Sequence, residues 1–224
     1  MDLLFTPAKL GTCELKNRIV RSATNGQLSD EKGQVTPLWA DTLIELAKNE
    51  VGLVITGHFC VDKMQRADAG QPVLDETTDE SLLRRACDGV HRYGGKLFFQ
   101  LSHSGIKGVE SVNGAPPKHP EDFTREELDR LVEQFAFAAK KCKESGADGV
   151  QVSGIDFNRR AGQKTPFYLD ALICEPDFAA KLKSGAQDGS KCLACNGCYT
   201  IYRKRFVRCV QHQDEIEQFK TIPW

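Results

Sequence analysis

The stretch Lys96-Leu97-Phe98-Phe99-Gln100-Leu101-Ser102-His103-Ser104-Gly105 most constrains what this chain can fold into. It concentrates an apolar and aromatic run, Leu97 to Leu101, and then turns polar and ends on a glycine. A short run of that kind reads as a strand covered on both faces, as in a parallel sheet, whose C-terminal end offers polar groups at an edge. Gln100 alone interrupts the run. Its amide both donates and accepts, so it is either bonded to neighbouring backbone or turned toward a ligand.

Three further stretches repeat the pattern. Asn17-Arg18-Ile19-Val20-Arg21-Ser22-Ala23-Thr24 follows a turn-rich opening, Val51 to His58 closes on Gly57-His58, and Gly149 to Gly154 closes on Ser153-Gly154. Between them lie helical periodicities. Thr36-Pro37 offers an N-cap and a first-turn proline to a helix reaching about Asn49. Asp79 and Glu80 put acid into the first turn of a helix running to Gly94-Gly95. Thr124-Arg125-Glu126-Glu127 has the form of a capping box for a helix through Cys142. The spacing predicts a parallel array from residue 17 to 154, with strands near Arg18–Ser22, Gly52–Thr56, Leu97–Leu101 and Gly149–Val152. Its expected core includes Ile19, Leu43, Val54, Leu83, Phe98, Leu131 and Val150.

The connections before strands are short and those after strands are long. The polar connection from Cys60 to Asp75, with Gln65, Arg66, Asp68 and Gln71, is the clearest case. Such asymmetry belongs to half of a (β/α)8 barrel, an incomplete TIM barrel of the α/β class, with its working face at the strand C-termini. A doubly wound sheet would need a glycine-rich phosphate turn after its first strand, and Ala23-Thr24-Asn25-Gly26 is not one.

Charge excludes some partners. Thirty basic against 31 acidic residues leave a net charge of -1, with no electrostatic footprint for nucleic acid or for an anionic membrane. No apolar run approaches the roughly 18 to 20 residues of a membrane span, and Met1 to Pro7 lacks a basic, then apolar, leader. The expected location is the cytoplasm, where nine cysteines stay reduced. Four gather late: Cys192-Leu193-Ala194-Cys195-Asn196-Gly197-Cys198, with Cys209 further on. Four soft thiolates can hold either a [4Fe-4S] cluster or a tetrahedral zinc.

Asn17 to Val20, Leu53 to Gly57, Gln100 to Gly105 and Gly146 to Val152 occur in an order that resembles the Old Yellow Enzyme family of flavin oxidoreductases. Leu172 to Asp177 and the cysteine cluster make the chain similar to the branch with NADH:flavin oxidoreductases and 2,4-dienoyl-CoA reductases. The resemblance implies FMN across the barrel mouth, reduced by NAD(P)H, with a small-molecule substrate. It implies that Ala23 and Thr24 line the isoalloxazine, that Gly57 and His58 lie under it, and that Gln100 bonds its pyrimidine edge. It also implies a [4Fe-4S] centre at Cys192, Cys195, Cys198 and Cys209, zinc being the alternative. His103 reads more simply as a residue that orders its own loop.

Beyond Gly154 the resemblance breaks. Ser153 stands where family members carry the first of two substrate-holding donors, and Ala171 stands near the place of an arginine for the FMN phosphate. Leu172 to Asp177 resembles the segment after the eighth strand, so strands five to eight are expected to be missing, an internal deletion. The expected organisation is residues 1–154 as the N-terminal half of the barrel, 155–190 as a residual connection and C-terminal barrel segment, and 191–224 as a cysteine-rich metal-binding tail. Two functions follow: an FMN-dependent ene-reductase impaired by the loss, or a catalytically inactive remnant that works only by association. Open sheet edges are expected to favour self-association.

Overall fold

The structure is a computed structural model in which residues 2–154, 176–188 and 191 are described. After a 3-10 turn at Asp2–Phe5 the chain makes an antiparallel hairpin, β1 (Ala8–Leu10) and β2 (Cys13–Leu15), joined through Gly11 at φ 59°. The alternating elements follow: β3 (Val20–Arg21), α1 (Pro37–Lys48), β4 (Leu53–Cys60), α2 (Glu80–Arg92), β5 (Lys96–His103), the single-turn α3 (Glu110–Asn113), α4 (Arg125–Glu144) and β6 (Gly149–Gly154). The strands β3-β4-β5-β6 form one sheet in that order, all parallel. A last helix, α5 (Phe178–Ser184), buries Phe178 and Ala179 in the same core and pairs Lys183 with Glu50 at 3.0 Å.

The expected parallel array is therefore present, with different strand lengths. β3 is only two residues long, whereas β4 runs four residues past Thr56. The turn-rich opening carries the hairpin. Helix starts follow local chemistry. Thr124 and Glu127 close the capping box of α4, and Asp79 accepts from the Ser81 N–H to cap α2. Thr36 does not cap α1 with its side chain, because its hydroxyl donates to the Leu28 carbonyl at 2.9 Å; Pro37 alone sets the first turn.

Helices α1, α2 and α4 pack against one face of the sheet. Trp39, Phe59 and Phe99 meet there with ring centroids 5.4 to 6.0 Å apart, among Leu43, Val54, Leu83, Leu97 and Leu101. Ile19, Leu43, Val54 and Leu83 are buried as expected, and Leu131 packs at the margin of this core. Phe98 and Val150 depart from the expected core. Side chains alternate along β5, so Leu97, Phe99 and Leu101 face the helices and Phe98 faces the other way, where its ring lies over Gly149. Val150 is 38% exposed because β6 is the last strand of the described sheet and nothing described covers its outer side.

At the lower ends of β5 and β6, Asp148 accepts from Lys96 Nζ at 2.8 Å, the Leu97 N–H at 2.9 Å and His91 Nε2 at 2.7 Å. Burial alone would raise its carboxyl, but these donors outweigh burial and hold it below the usual range.

Candidate functional site

Val54 and Phe59 both lie in the helix-facing core, yet they stand five positions apart, and strict alternation would put them on opposite faces. A β-bulge resolves the conflict. The register pairs Ile55 with Phe98 and His58 with Gln100, so β4 spends three steps where β5 spends two. Thr56, fully buried, fixes the bulge: its hydroxyl oxygen accepts from the Gln100 N–H at 3.1 Å and its proton goes to the Gly57 carbonyl at 2.9 Å.

The bulge turns His58 onto the face opposite the helices. There it joins a row across three strands, His58 beside Gln100 and Gln100 beside Gln151, near the C-terminal ends. Gln100 Nε2 donates to Gln151 Oε1 at 2.7 Å, which leaves the rest of both amides for other partners. The row is polar but carries no fixed charge.

Gly57 is met from the side by the loop after β3. A Cβ there would stand 2.6 Å from the Thr24 carbonyl oxygen and 2.9 Å from the Asn25 Cα, so only glycine lets the two segments touch. Thr24 takes a hydrogen bond from Arg21, and Ala23 precedes it in the same half-buried loop. Behind Thr24 and Gly57, toward Trp39 and Leu43, lies a partly open pocket of about 70 Å3, with room for several waters.

The connection after β4 closes over the other side of His58 and is buried despite its polarity. Asn113 clamps the backbone of Arg66, accepting from its N–H at 3.0 Å and donating to its carbonyl at 2.9 Å. Asn25 Nδ2 donates to Asp68 Oδ2 at 2.8 Å, tying this connection to the loop after β3. Gln71 is fully buried, with Nε2 2.7 Å from His58 Nδ1; Ser102 Oγ lies 3.2 Å from the same nitrogen. Burial pushes the His58 pKa down, and the Asp68 charge offsets part of that shift. The imidazole is therefore neutral at pH 7. Cys60 is no nucleophile, because complete burial pushes its thiol up to about 12.

Of the five residues expected at a cofactor, Thr24 and Gly57 are in contact, His58 and Gln100 are register partners, and Ala23 is next to Thr24 in the chain. His103 orders its own loop as expected: Nδ1 accepts from the Gly105 N–H at 3.1 Å and the ring meets Phe123 edge-on. The roles of Thr56, Gln71, Ser102 and Gln151 were not assigned from sequence. The odd spacing of Val54 and Phe59 was the one sign of the bulge that creates them. Among the described residues no cluster of His, Cys, Asp or Glu could hold a metal ion. Cys192, Cys195, Cys198 and Cys209 lie outside the described residues.

Residues 3–156 match the NADH:flavin oxidoreductase / NADH oxidase family. A metal reductase of Desulforamulus reducens is 33% identical over 168 residues, which are 68% of this chain and 24% of that protein. The chain thus spans about a quarter of that relative's length. Among solved structures, a 2-naphthoyl-CoA reductase in complex with 2-naphthoyl-CoA superposes with TM-score 0.63 at 22% identity, over 84% of this chain and 34% of the other. The old yellow enzyme of Trypanosoma cruzi superposes with TM-score 0.59 at 21% identity, over 67% and 50% of the two chains. Both likenesses concern the fold.

Proposed function

This chain belongs to the NADH:flavin oxidoreductase / NADH oxidase family, and from that premise we propose that it carries the ring-binding half of an FMN site of ene-reductase type. When bound, FMN would take hydride from NAD(P)H and pass it to an electron-poor alkene. The observation that carries this proposal is the uncharged row His58, Gln100 and Gln151 beside the close approach of Gly57 to Thr24.

Each residue has a task in that site. Gln100 would bond the pyrimidine edge of the ring with an amide that donates and accepts without adding charge. Ala23, Thr24 and Gly57 would supply a flat backbone wall, and His58 a neutral polar group beneath the ring. Phosphate-binding loops have no counterpart in the matched stretch, so we expect the ring to be held and the phosphate not. Fluorescence titration tests this directly: riboflavin and FMN should bind with affinities within about threefold of each other. An FMN preference above about tenfold, worth ~1.4 kcal/mol, would overturn it. NAD(P)H oxidation by the yellow protein would support the reductase.

A second function, an inactive half-barrel that works by association, is favoured by β6, where Val152 is 66% exposed and Val150 38%. A colourless protein that sediments as a dimer would select it. For the tail we propose a [4Fe-4S] cluster on Cys192, Cys195, Cys198 and Cys209, with zinc as the alternative metal. A cytoplasmic location is supported by the free thiols of Cys60, Cys87 and Cys142. No described helix is long and apolar enough to cross a membrane.

A further inference from the structure

We infer that Gln71 is a positioning residue that fixes His58 as the neutral tautomer protonated on Nε2, and that His58 thereby presents a single N–H donor to a carbonyl oxygen bound against the polar row. The amide of Gln71 can be oriented from its partners. Its Oε1 accepts from the Ala67 N–H at 2.6 Å, which fixes which end of the amide is oxygen, because an NH2 group cannot face an N–H. The NH2 end is then the one 2.7 Å from His58 Nδ1. Two donors cannot share that short contact, so Nδ1 must offer its lone pair.

The surroundings agree. Ser102 Oγ is within 3.4 Å of the Phe59 carbonyl, to which it can donate, leaving a lone pair for the second Gln71 proton at 3.3 Å. Ser102 Oγ, 3.2 Å from Nδ1, and the His58 carbonyl, 3.3 Å from the Gln71 NH2, offer longer alternatives, but the 2.7 Å contact is the shortest of the set and forms a hydrogen bond only when Nδ1 carries no proton. A proton on this nitrogen, in the other tautomer or in the cation, would leave the Gln71 NH2 facing an N–H at that distance. The charged group acting on the ring is Asp68, and its Oδ2 is engaged by Asn25. The ring's remaining proton sits on Nε2, on a residue whose strand neighbour is Gln100.

The ligand class follows from this polarity. A lone neutral N–H suits a carbonyl oxygen, which a flavin pyrimidine ring and a conjugated enone both carry. This ligand half rests on the proposed flavin site; the tautomer does not.

The test is the two-bond 1H–15N spectrum of the histidine side chains in the full chain. At neutral pH His58 should show Nδ1 in the unprotonated range and Nε2 in the protonated range. Gln71→Glu keeps the acceptor for Ala67 and replaces the NH2 by a second acceptor, so it should move the proton to Nδ1. It should also weaken riboflavin binding roughly tenfold, on the order of one hydrogen bond. A wild-type ring protonated on Nδ1, or an unchanged tautomer in a folded Gln71→Glu variant, would overturn the assignment. If that variant does not fold, the wild-type spectrum decides alone. Addition of riboflavin, and separately of 2-cyclohexenone, identifies the carbonyl: the one that shifts the Nε2–H resonance is the ligand. If neither does, the donor role is wrong even though the tautomer is right.

Discussion

Gly57 lies so close to Thr24 that a side-chain carbon at position 57 would stand 2.6 Å from the Thr24 carbonyl oxygen. The contact joins the loop after β3 to the bulge in β4, and both partners are main chain, which cannot rotate away. Gly57→Ala should therefore destabilise the fold by about 1–3 kcal/mol through overpacking. Riboflavin binding should fall with it, since the wall proposed for the flavin ring would be displaced. A urea denaturation series with a parallel fluorescence titration measures both. An unchanged midpoint would mean that the two loops separate without cost.

Thr56→Val removes the hydroxyl that satisfies the Gln100 N–H while keeping the shape of the side chain. Leaving a buried donor unpaired costs about 1–3 kcal/mol. Thr56→Ser, which keeps the hydroxyl, should recover most of it. Equal denaturation midpoints for the valine and serine variants would show that the hydroxyl does not hold the bulge.

Asp148 predicts the acid limit. Its folded carboxyl titrates below the ordinary value of 3.8, so the unfolded chain binds the proton more readily. The stability it contributes is complete above about pH 4 and is lost as pH falls through the folded pKa. Asp148→Asn should lower stability at pH 7 by about 1–3 kcal/mol and flatten the loss below pH 4. Denaturation midpoints between about pH 7 and pH 2.5 read both effects.

His58 acts in a different window. Burial holds its folded pKa below 6.5, so protonation favours the unfolded chain. Its contribution is complete above about pH 6.5 and declines as pH falls toward the folded pKa. His103 shifts in the same direction for the same reason. His58→Gln should remove its share of the decline between about pH 6.5 and 5 and leave that of His103, which a denaturation series in this range resolves.

Cys195→Ser tests the tail. If a [4Fe-4S] cluster is bound, the substitution should bleach its broad absorbance in the blue and lower the iron content, with the flavin bands unchanged. Stoichiometric zinc without iron in the wild-type protein would replace the cluster by a zinc site.

Much of the fold was legible because periodicity carries it. Leu43, Val54 and Leu83 sit at positions where helical and strand spacing both point inward, and Thr124-Arg125-Glu126-Glu127 states its cap in four residues. Phe98 departs from the expected core because the three consecutive apolar residues Leu97, Phe98 and Phe99 show no alternation among themselves, and so hide which face each takes. Val150 was misplaced because burial depends on a neighbouring strand, which no local pattern encodes. At the site, Gln100 stood out as an amide among apolar residues. Gln71 did not, since a glutamine in a polar connection is ordinary until the chain folds it against His58. The bulge was hidden for a similar reason: Thr56-Gly57 reads as the end of a strand rather than as an extra step within one.

The bulge works like a frameshift in β4. Leu53, Val54 and Ile55 are read in one frame, and His58, Phe59 and Cys60 in the other. If the same residues ran without the extra step, Phe59 would swing out of its place between Trp39 and Phe99 onto the polar row, and His58 would be driven into the aromatic core. Loss of one residue at position 56 or 57 would not do this: Val54 and Phe59 would then stand an even number of steps apart, and His58 would still lie beside Gln100 in a regular ladder. Chain length here is therefore tolerant in one direction, since a deletion irons the strand flat with core and site in place, whereas a second inserted residue would exchange them.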